Sequence, residues 1–259
     1  MSKKLTLFML AAFVLTISCV FAADYQEIKD LDLSTNGIDQ LFAEVGAGFL
    51  KIRGVAGLDR IEVEAEFIVK RMTDSKARDF IKDKLILSLE KKGSRAVLTA
   101  GQRPFRRLFN SVSYAINLTV RVPESLKLRI NDGSGSMTVD NIEGDVRIDD
   151  GSGNIELSDI GGLVEVDDGS GDIDLRTIRG DIMVDDGSGT VEVVECAGRV
   201  EIDDGSGSIR IRDVTGDVLI SDGSGSITVA GVEKDVTIRD DGSGSVNISD
   251  VRGKVYKKK

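Results

Sequence analysis

The residues best placed to do chemistry in this chain are aspartates in a fixed string. Asp-Gly-Ser-Gly begins at Asp132, Asp150, Asp168, Asp186, Asp204, Asp222 and Asp241. A second Asp stands before five of these, at Asp149, Asp167, Asp185, Asp203 and Asp240, and Ser221 breaks the row. Carboxylates repeated at one position of a stacked unit are donors for a hard cation. Calcium takes six to eight oxygens, and two neighbouring copies supply on the order of four. The candidate metal residues are therefore Asp149, Asp150, Asp167, Asp168, Asp185, Asp186, Asp203 and Asp204, and calcium is the one cofactor the pattern suggests. The structural alternative is that each Asp binds amides of its own turn, as Asp and Ser do in Asx and Ser turns. Carboxylates stacked about 4.8 Å apart repel by about 0.9 kcal/mol per pair in water. Turn hydrogen bonds or a cation must offset that. Calcium-binding β-rolls also use 18-residue coils, but their Asp sits in a GGxGxD string that differs from this one.

Other chemistries are excluded by residue type. The chain has no His, which removes Ser-His-Asp and Cys-His catalysis and His-based metal sites. The repeated Ser lacks the Gly-x-Ser-x-Gly spacing and a base. The Gly-Ser-Gly turns lack the helix and Lys of a phosphate loop. Cys196 falls in an apolar column, where a thiol serves as a small filler. No catalytic residue is assigned.

The elements that must position the aspartates follow from the repeat. Five steps between the strings are 18 residues and the last is 19, with the extra residue in Arg239-Asp240. Aligning the copies gives five apolar columns: Met137 to Val246, Val139 to Ile248, Ile142 to Val251, Val146 to Val255, and Ile148 to Ile238, the last ending at Lys257. Alternation at period two means strands with one buried face. Each copy holds two short strands, of the types Ile209-Arg210-Ile211 and Val218-Leu219-Ile220, each followed by a turn. A further Gly marks the second corner, from Gly144 to Gly253, replaced once by Lys234. A unit this small buries its apolar face only by stacking on its neighbours. The expected fold is all-β, a parallel β-solenoid of the β-helix or β-roll kind with 18-residue rungs and a less regular N-terminal capping part.

The upstream region carries a worn form of the pattern. Gly46-Ala47-Gly48-Phe49-Leu50-Lys51-Ile52 resembles a degraded turn and strand, with Ile61 to Ala65 expected as its partner strand. Residues 73–84 form an amphipathic helix with Ala77, Phe80 and Ile81 on one side. Strands follow at Leu85 to Leu89, Ala96 to Thr99 and Tyr114 to Val122, with a basic loop at Arg103, Arg106 and Arg107 between the last two. Leu126 to Ile130 reads as an entry half-rung. The chain divides into a signal peptide at 1–22, a degenerate solenoid part with the helical insertion at 23–125, and the regular repeat at 126–259. The signal reading rests on Lys3 and Lys4, the apolar run Leu5 to Val20, and small residues before a cleavage after Ala22. Lipidation at Cys19 and an uncleaved anchor are the alternatives. Cleavage after Ala22 leaves Cys196 alone, without an intrachain disulfide, and no transmembrane domain.

Charge is polarised along the chain, with 29 acidic and 13 basic side chains in 132–259. The net of −10 argues against nucleic acid, which needs clustered Lys and Arg. A secreted β-repeat whose less regular half ends at Val122-Pro123, then runs as xLxIxxGSGxIxV, resembles the adhesin-type β-strand repeat family catalogued as domain of unknown function 4097. More distantly it resembles that family's head-domain relatives. The resemblance covers about residues 40 to 256 and implies a parallel β-solenoid in bacterial envelope proteins. The resulting expectation is an exported, non-enzymatic structural or adhesion-like module of the periplasm, outer membrane or cell surface. Its partner would be an envelope or surface component, a glycan, or a second copy. The alternatives are a polysaccharide-binding or polysaccharide-acting β-helix protein and a calcium-stabilised β-roll. Enzymes of that type carry long irregular loops that build a cleft, and here the corners keep nearly constant length.

Overall fold

The structure is a computed structural model, and it describes residues 24–103 and 112–257. The signal segment, Cys19, the Ala22 cleavage site and Arg106 and Arg107 lie outside the described residues. The described residues form two eleven-stranded sheets that face each other across one apolar core. From Lys127 onward, successive strands alternate between the sheets, and each pairs in parallel with the strand one repeat earlier and one repeat later. This is a parallel β-solenoid with rungs of 18 residues. Register is kept residue for residue: Ile173 lies beside Ile155 and Val191, and Val184 beside Val166 and Ile202.

The apolar columns are the core. Ile155, Leu157, Ile160, Val164 and Val166 of one rung are at most 2 % exposed, and the same columns stay buried through Ile238. The final rung has no neighbour beyond it. Val246, Ile248 and Val251 are only partly buried there, and Val255 is exposed.

The worn copy is a true rung. Gln40–Ala47 pairs in parallel with Lys127–Ser134, with Val45 at the Asp132 position, and Leu50–Val55 pairs with Met137–Ile142. Lys127–Ser134 is therefore flanked on both sides rather than being an entry half-rung. The expected partner strand at Ile61 to Ala65 is a correction. Arg60–Val69 does not cross to the opposite sheet. It stays in the sheet of Leu50–Val55, antiparallel to Tyr114–Pro123 on one side and Tyr25–Ser34 on the other. Alternation at period two is the same for parallel and antiparallel strands, so the pattern did not encode this difference. After Val55 the chain turns at Ala56-Gly57, with Gly57 at φ 72°, and folds back so that Ile61, Val63 and Ala65 are buried from the same sheet.

The antiparallel strands make the cap. Leu85–Lys92 and Arg95–Gln102 form a hairpin that extends the second sheet. The two outermost strands, Tyr25–Ser34 and Leu85–Lys92, approach each other and close the core at this end. The helix Asp74–Lys84 joins the closure, burying Ala77 and Ile81 and setting the Phe80 ring 5.8 Å from Tyr114. Asp74 in its first turn and Lys82 and Lys84 in its last complement the helix dipole.

One column was not visible in the repeat alignment. Asn141, Asp159, Thr177, Glu195, Asp213, Gly231 and Asp250 all have φ between 53° and 70°. Each precedes the third apolar column and drops out of the strand register, turning the chain at the second corner. Asn, Asp and Gly tolerate this left-handed conformation, but Thr177 and Glu195 do not. Thr177→Asn should relieve about 1 kcal/mol of strain. The expected readout is a melting temperature higher by about 2–4 °C, and an unchanged or lower value would contradict the strain argument.

Candidate functional site

The Asp-Gly-Ser-Gly turn is built by three amides with three destinations. At 204–207, the Gly205 N–H donates to the Asp186 carbonyl of the preceding rung at 2.8 Å, and the Gly207 N–H donates to the Ser224 carbonyl of the next rung at 3.0 Å. In five other turns the Ser amide donates within its own turn, to the Asp Oδ1. This bond is 3.2 Å at Ser134 and Ser152, 3.1 Å at Ser170, 3.0 Å at Ser188 and 2.9 Å at Ser224. The Asp therefore acts as an Asx-type turn former, while Ser contributes its backbone and not its hydroxyl. Stacked turns thus continue the ladder that the strands begin.

The structure separates the paired aspartates. Adjacent residues of a strand point to opposite faces, and the burial pattern of Val146–Asp150, Val164–Asp168 and Ile182–Asp186 alternates strictly. Asp150, Asp168, Asp186 and Asp204 point inward and are 1–3 % exposed, together with Asp132 at 7 % and Asp222 at 1 %. Asp149, Asp167, Asp185 and Asp203 point outward into solvent. The two Asp of a pair do not share a site. Among the described residues, no three carboxylates, thiols or imidazoles converge as metal ligands would.

Parallel register makes each set a file. Asp132, Asp150, Asp168, Asp186, Asp204 and Asp222 lie one over the next inside, and Asp149, Asp167, Asp185 and Asp203 do so outside. The inner file ends at Val45 on one side. On the other, the extra residue shifts the register after Ile220, so Asp240 accepts the Gly242 amide at 3.1 Å. Asp241 leaves the interior and pairs with Lys257 at 2.6 Å. Burial pushes Asp132, Asp150, Asp186 and Asp204 up to about 6, and raises Asp168 and Asp222 as well.

The outer face beside the second file carries mixed charge. Arg147 bonds Glu165 across one rung at 2.7 Å, and Arg239 reaches Glu201 two rungs back at 3.3 Å. At one end of this face a shallow groove of about 250 Å³ is lined by Arg129, Asn131, Arg147, Asp149, Glu165 and Asp167. On the other sheet, Arg176 bonds Asp174 at 2.5 Å, and Arg212 bonds Glu192 one rung earlier. Cys196 is buried between Ile178 and Val214, and burial pushes its thiol up to about 11, so it stays an inert core residue.

Comparison with known proteins agrees with this architecture. No curated protein matches the chain in sequence. A solved structure of a candidate lipid binding protein from Parabacteroides distasonis is similar over 90 % of this chain and 97 % of its own, with a TM-score of 0.51 at 14 % identity. A candidate cell adhesion protein from Clostridium sporogenes aligns over 91 % of this chain and 99 % of its own, with a TM-score of 0.34 at 12 % identity. A candidate adhesin from Bacteroides fragilis aligns over 90 % and 97 %, with a TM-score of 0.35 at 13 % identity. The likeness to the Parabacteroides distasonis protein, at 14 % identity, shows the fold alone. The model of one family, Toastrack DUF4097, matches residues 59–257, which takes in every Asp-Gly-Ser-Gly turn and most of the cap. With that match across most of its length, the chain belongs to the Toastrack family, domain of unknown function 4097.

Proposed function

We propose that this protein is a non-enzymatic binding module, exported to the bacterial envelope or surface, that presents two stiff polar faces to an extended partner. The observation that supports this most is the constancy of the outward register. Side chains at Arg147, Glu165, Met183 and Glu201, and at Asp149, Asp167, Asp185 and Asp203, recur at the rung spacing without a loop interrupting them. A periodic face binds a periodic or extended ligand through many weak contacts. The partner class that fits is a polymeric or surface component of the envelope, such as a glycan. Among the described residues no helix is long and apolar enough to cross a membrane. Export rests on the basic and apolar start of the sequence, and intact mass from the native envelope fraction should begin at Ala23.

The test is a binding screen of the purified chain against glycans and envelope fractions. Binding should weaken when Asp167, Asp185 and Asp203 are changed together to Asn, or when Arg129 and Arg147 are changed to Ala. Binding that ignores both outer sets would reject this face as the binding surface. Turnover of a polysaccharide would reject the non-enzymatic reading.

A further inference from the structure

The inner aspartates are the one set of buried ionisable groups that turn formation leaves half-used. One oxygen of Asp132, Asp150, Asp168, Asp186 and Asp222 accepts a Ser amide. Oδ2 of Asp150, Asp168, Asp186 and Asp222, and both oxygens of Asp204, are buried without a protein partner. These side chains are at least 97 % buried. Every group that faces them electrostatically is another acid. Within the file these are the neighbouring Asp themselves; from the outer side, Asp167, Asp185 and Asp203; from the head of the facing sheet's strand, Asp172; and at the C-terminal end, Asp240 and Asp241. Among the described residues no Lys or Arg compensates them, and Lys257 is engaged by Asp241. A buried charge without a counter-charge is neutralised rather than tolerated.

The neutralising species must fit a closed turn. The Asp Oδ2 sits beneath the fourth residue of its turn. A Cβ added at Gly171, Gly189 or Gly207 would meet it at 3.3, 3.4 or 3.1 Å. With no third carboxylate converging among the described residues, a metal ion lacks side-chain donors there. A proton needs no converging donors, and it removes the charge that burial in a closed turn penalises.

We propose that protons taken up from solvent neutralise this inner file, so that the solenoid is an acid-consolidated rod that tightens at mildly acidic pH and loosens as pH rises. Each uptake converts one carboxylate to a neutral carboxylic acid and removes its repulsion of the neighbouring carboxylates of the file. The raised proton affinity of the file supports this. Its leading cause is burial; neighbouring carboxylates add to it for Asp150, Asp186 and Asp204, and the turn amides oppose it. The sign follows from linkage. An unfolded Asp titrates near about 3.9, so between about pH 4 and pH 6 the folded chain holds more protons than the unfolded one. Stability must fall as pH rises through that window and level off above it. Asp145, held low by its hydrogen bond from Lys127, contributes the opposite slope, but below this window.

The experiment is a set of melting curves of the full chain from pH 5 to pH 8, in the presence and absence of calcium. The expected fall is on the order of 5–10 °C between pH 5 and pH 7. Asp168→Asn/Asp186→Asn/Asp204→Asn keeps an oxygen for the Ser170 and Ser188 amides, leaves Asp132, Asp150 and Asp222 to titrate, and should reduce the fall by about half, melting above the parent chain at pH 7.5. Asp167→Asn/Asp185→Asn/Asp203→Asn removes the same charge from outside and should keep the fall. A parent melting temperature that is flat or rising from pH 5 to pH 7 would overturn the proposal, and so would a fall of undiminished size in the inner variant. A calcium-induced rise at pH 7.5 that the inner variant lacks would assign the file to a cation instead. If the inner variant does not fold, the infrared spectrum of the parent at pH 5.5 decides. A carboxylic-acid carbonyl band that vanishes on unfolding supports the proton file, and its absence refutes it.

Discussion

Ile209→Asp is expected to unfold the rungs on either side of the substitution. Ile209 is fully buried and lies in register between Val191 and Ile227. Its replacement loses about 1.5–3 kcal/mol of apolar burial. It also places a carboxylate among aliphatic columns, without the turn amide that Asp132, Asp150, Asp168, Asp186 and Asp222 receive. An unpaired buried charge adds several kcal/mol, which brings the total near the ~5–15 kcal/mol that holds a typical domain together. A solenoid is stabilised by nearest-neighbour contacts, so damage should spread from this rung. Hydrogen exchange should accelerate in strands between Gly189 and Val232 while the cap at Arg60–Val69 stays protected. Ile209→Ala, at about 2–5 kcal/mol, should leave a folded chain with a lower melting temperature. An Asp variant that melts like the parent would mean that this column is not a core.

Gly207→Ala is expected to be nearly as damaging, for a reason that lies in the backbone. An added Cβ would stand 1.6 Å from the Gly189 carbonyl oxygen and 2.8 Å from its carbon. Neither is the end of a flexible side chain, so the two turns must separate. That breaks the bond from the Gly189 amide to the Ser206 carbonyl and the bond from the Gly205 amide to the Asp186 carbonyl. A loss of about 3 kcal/mol or more is expected, within the range of strain and lost hydrogen bonds in a packed site. Gly133 is the internal control, because a Cβ there meets nothing within 4 Å. Gly133→Ala should melt within a degree or two of the parent. Equal effects at the two positions would show that close approach of the turns is not what selects glycine.

The columns were legible because stacking turns each of them into a row of similar residues. Ile155, Ile173, Val191 and Ile209 share one environment, and the sequence repeats accordingly. The two faces of the Asp pair were legible too, in principle. Val146, Ile148 and Asp150 share a parity, so strict alternation carries Asp150 inside and Asp149 outside. Treating the pair as one ligand set overlooked that parity, because an ionised Asp is ordinarily assigned to solvent. The left-handed column had a signal in Asn141, Asp159, Asp213 and Gly231, but Thr177 and Glu195 obscured it. The cap was the least legible part. Its strands alternate as the rungs do, and only the pairing partners of Arg60–Val69 reveal that the chain turns back within one sheet. The worn copy at Val45 to Gly48 was readable because a Cβ at Gly48 would strike the backbone at Ile116, so the glycine persisted where the Asp did not.

The central claim is that binding belongs to a periodic face and not to one discrete site. Excising residues 187–204 joins Asp186 to Gly205, restores the Asp-Gly-Ser-Gly turn and removes one rung in register. A second variant lacking residues 187–222 joins Asp186 to Gly223 and removes two. Both should fold and melt cooperatively, since each rung contacts only its neighbours. Affinity for a partner found in the screen, measured for the parent and both variants, tests the claim most directly. A periodic face predicts stepwise weakening, several-fold per rung removed, as contacts are lost one set at a time. Complete loss on removing the first rung, or unchanged affinity after removing both, would locate binding at a discrete site and contradict it.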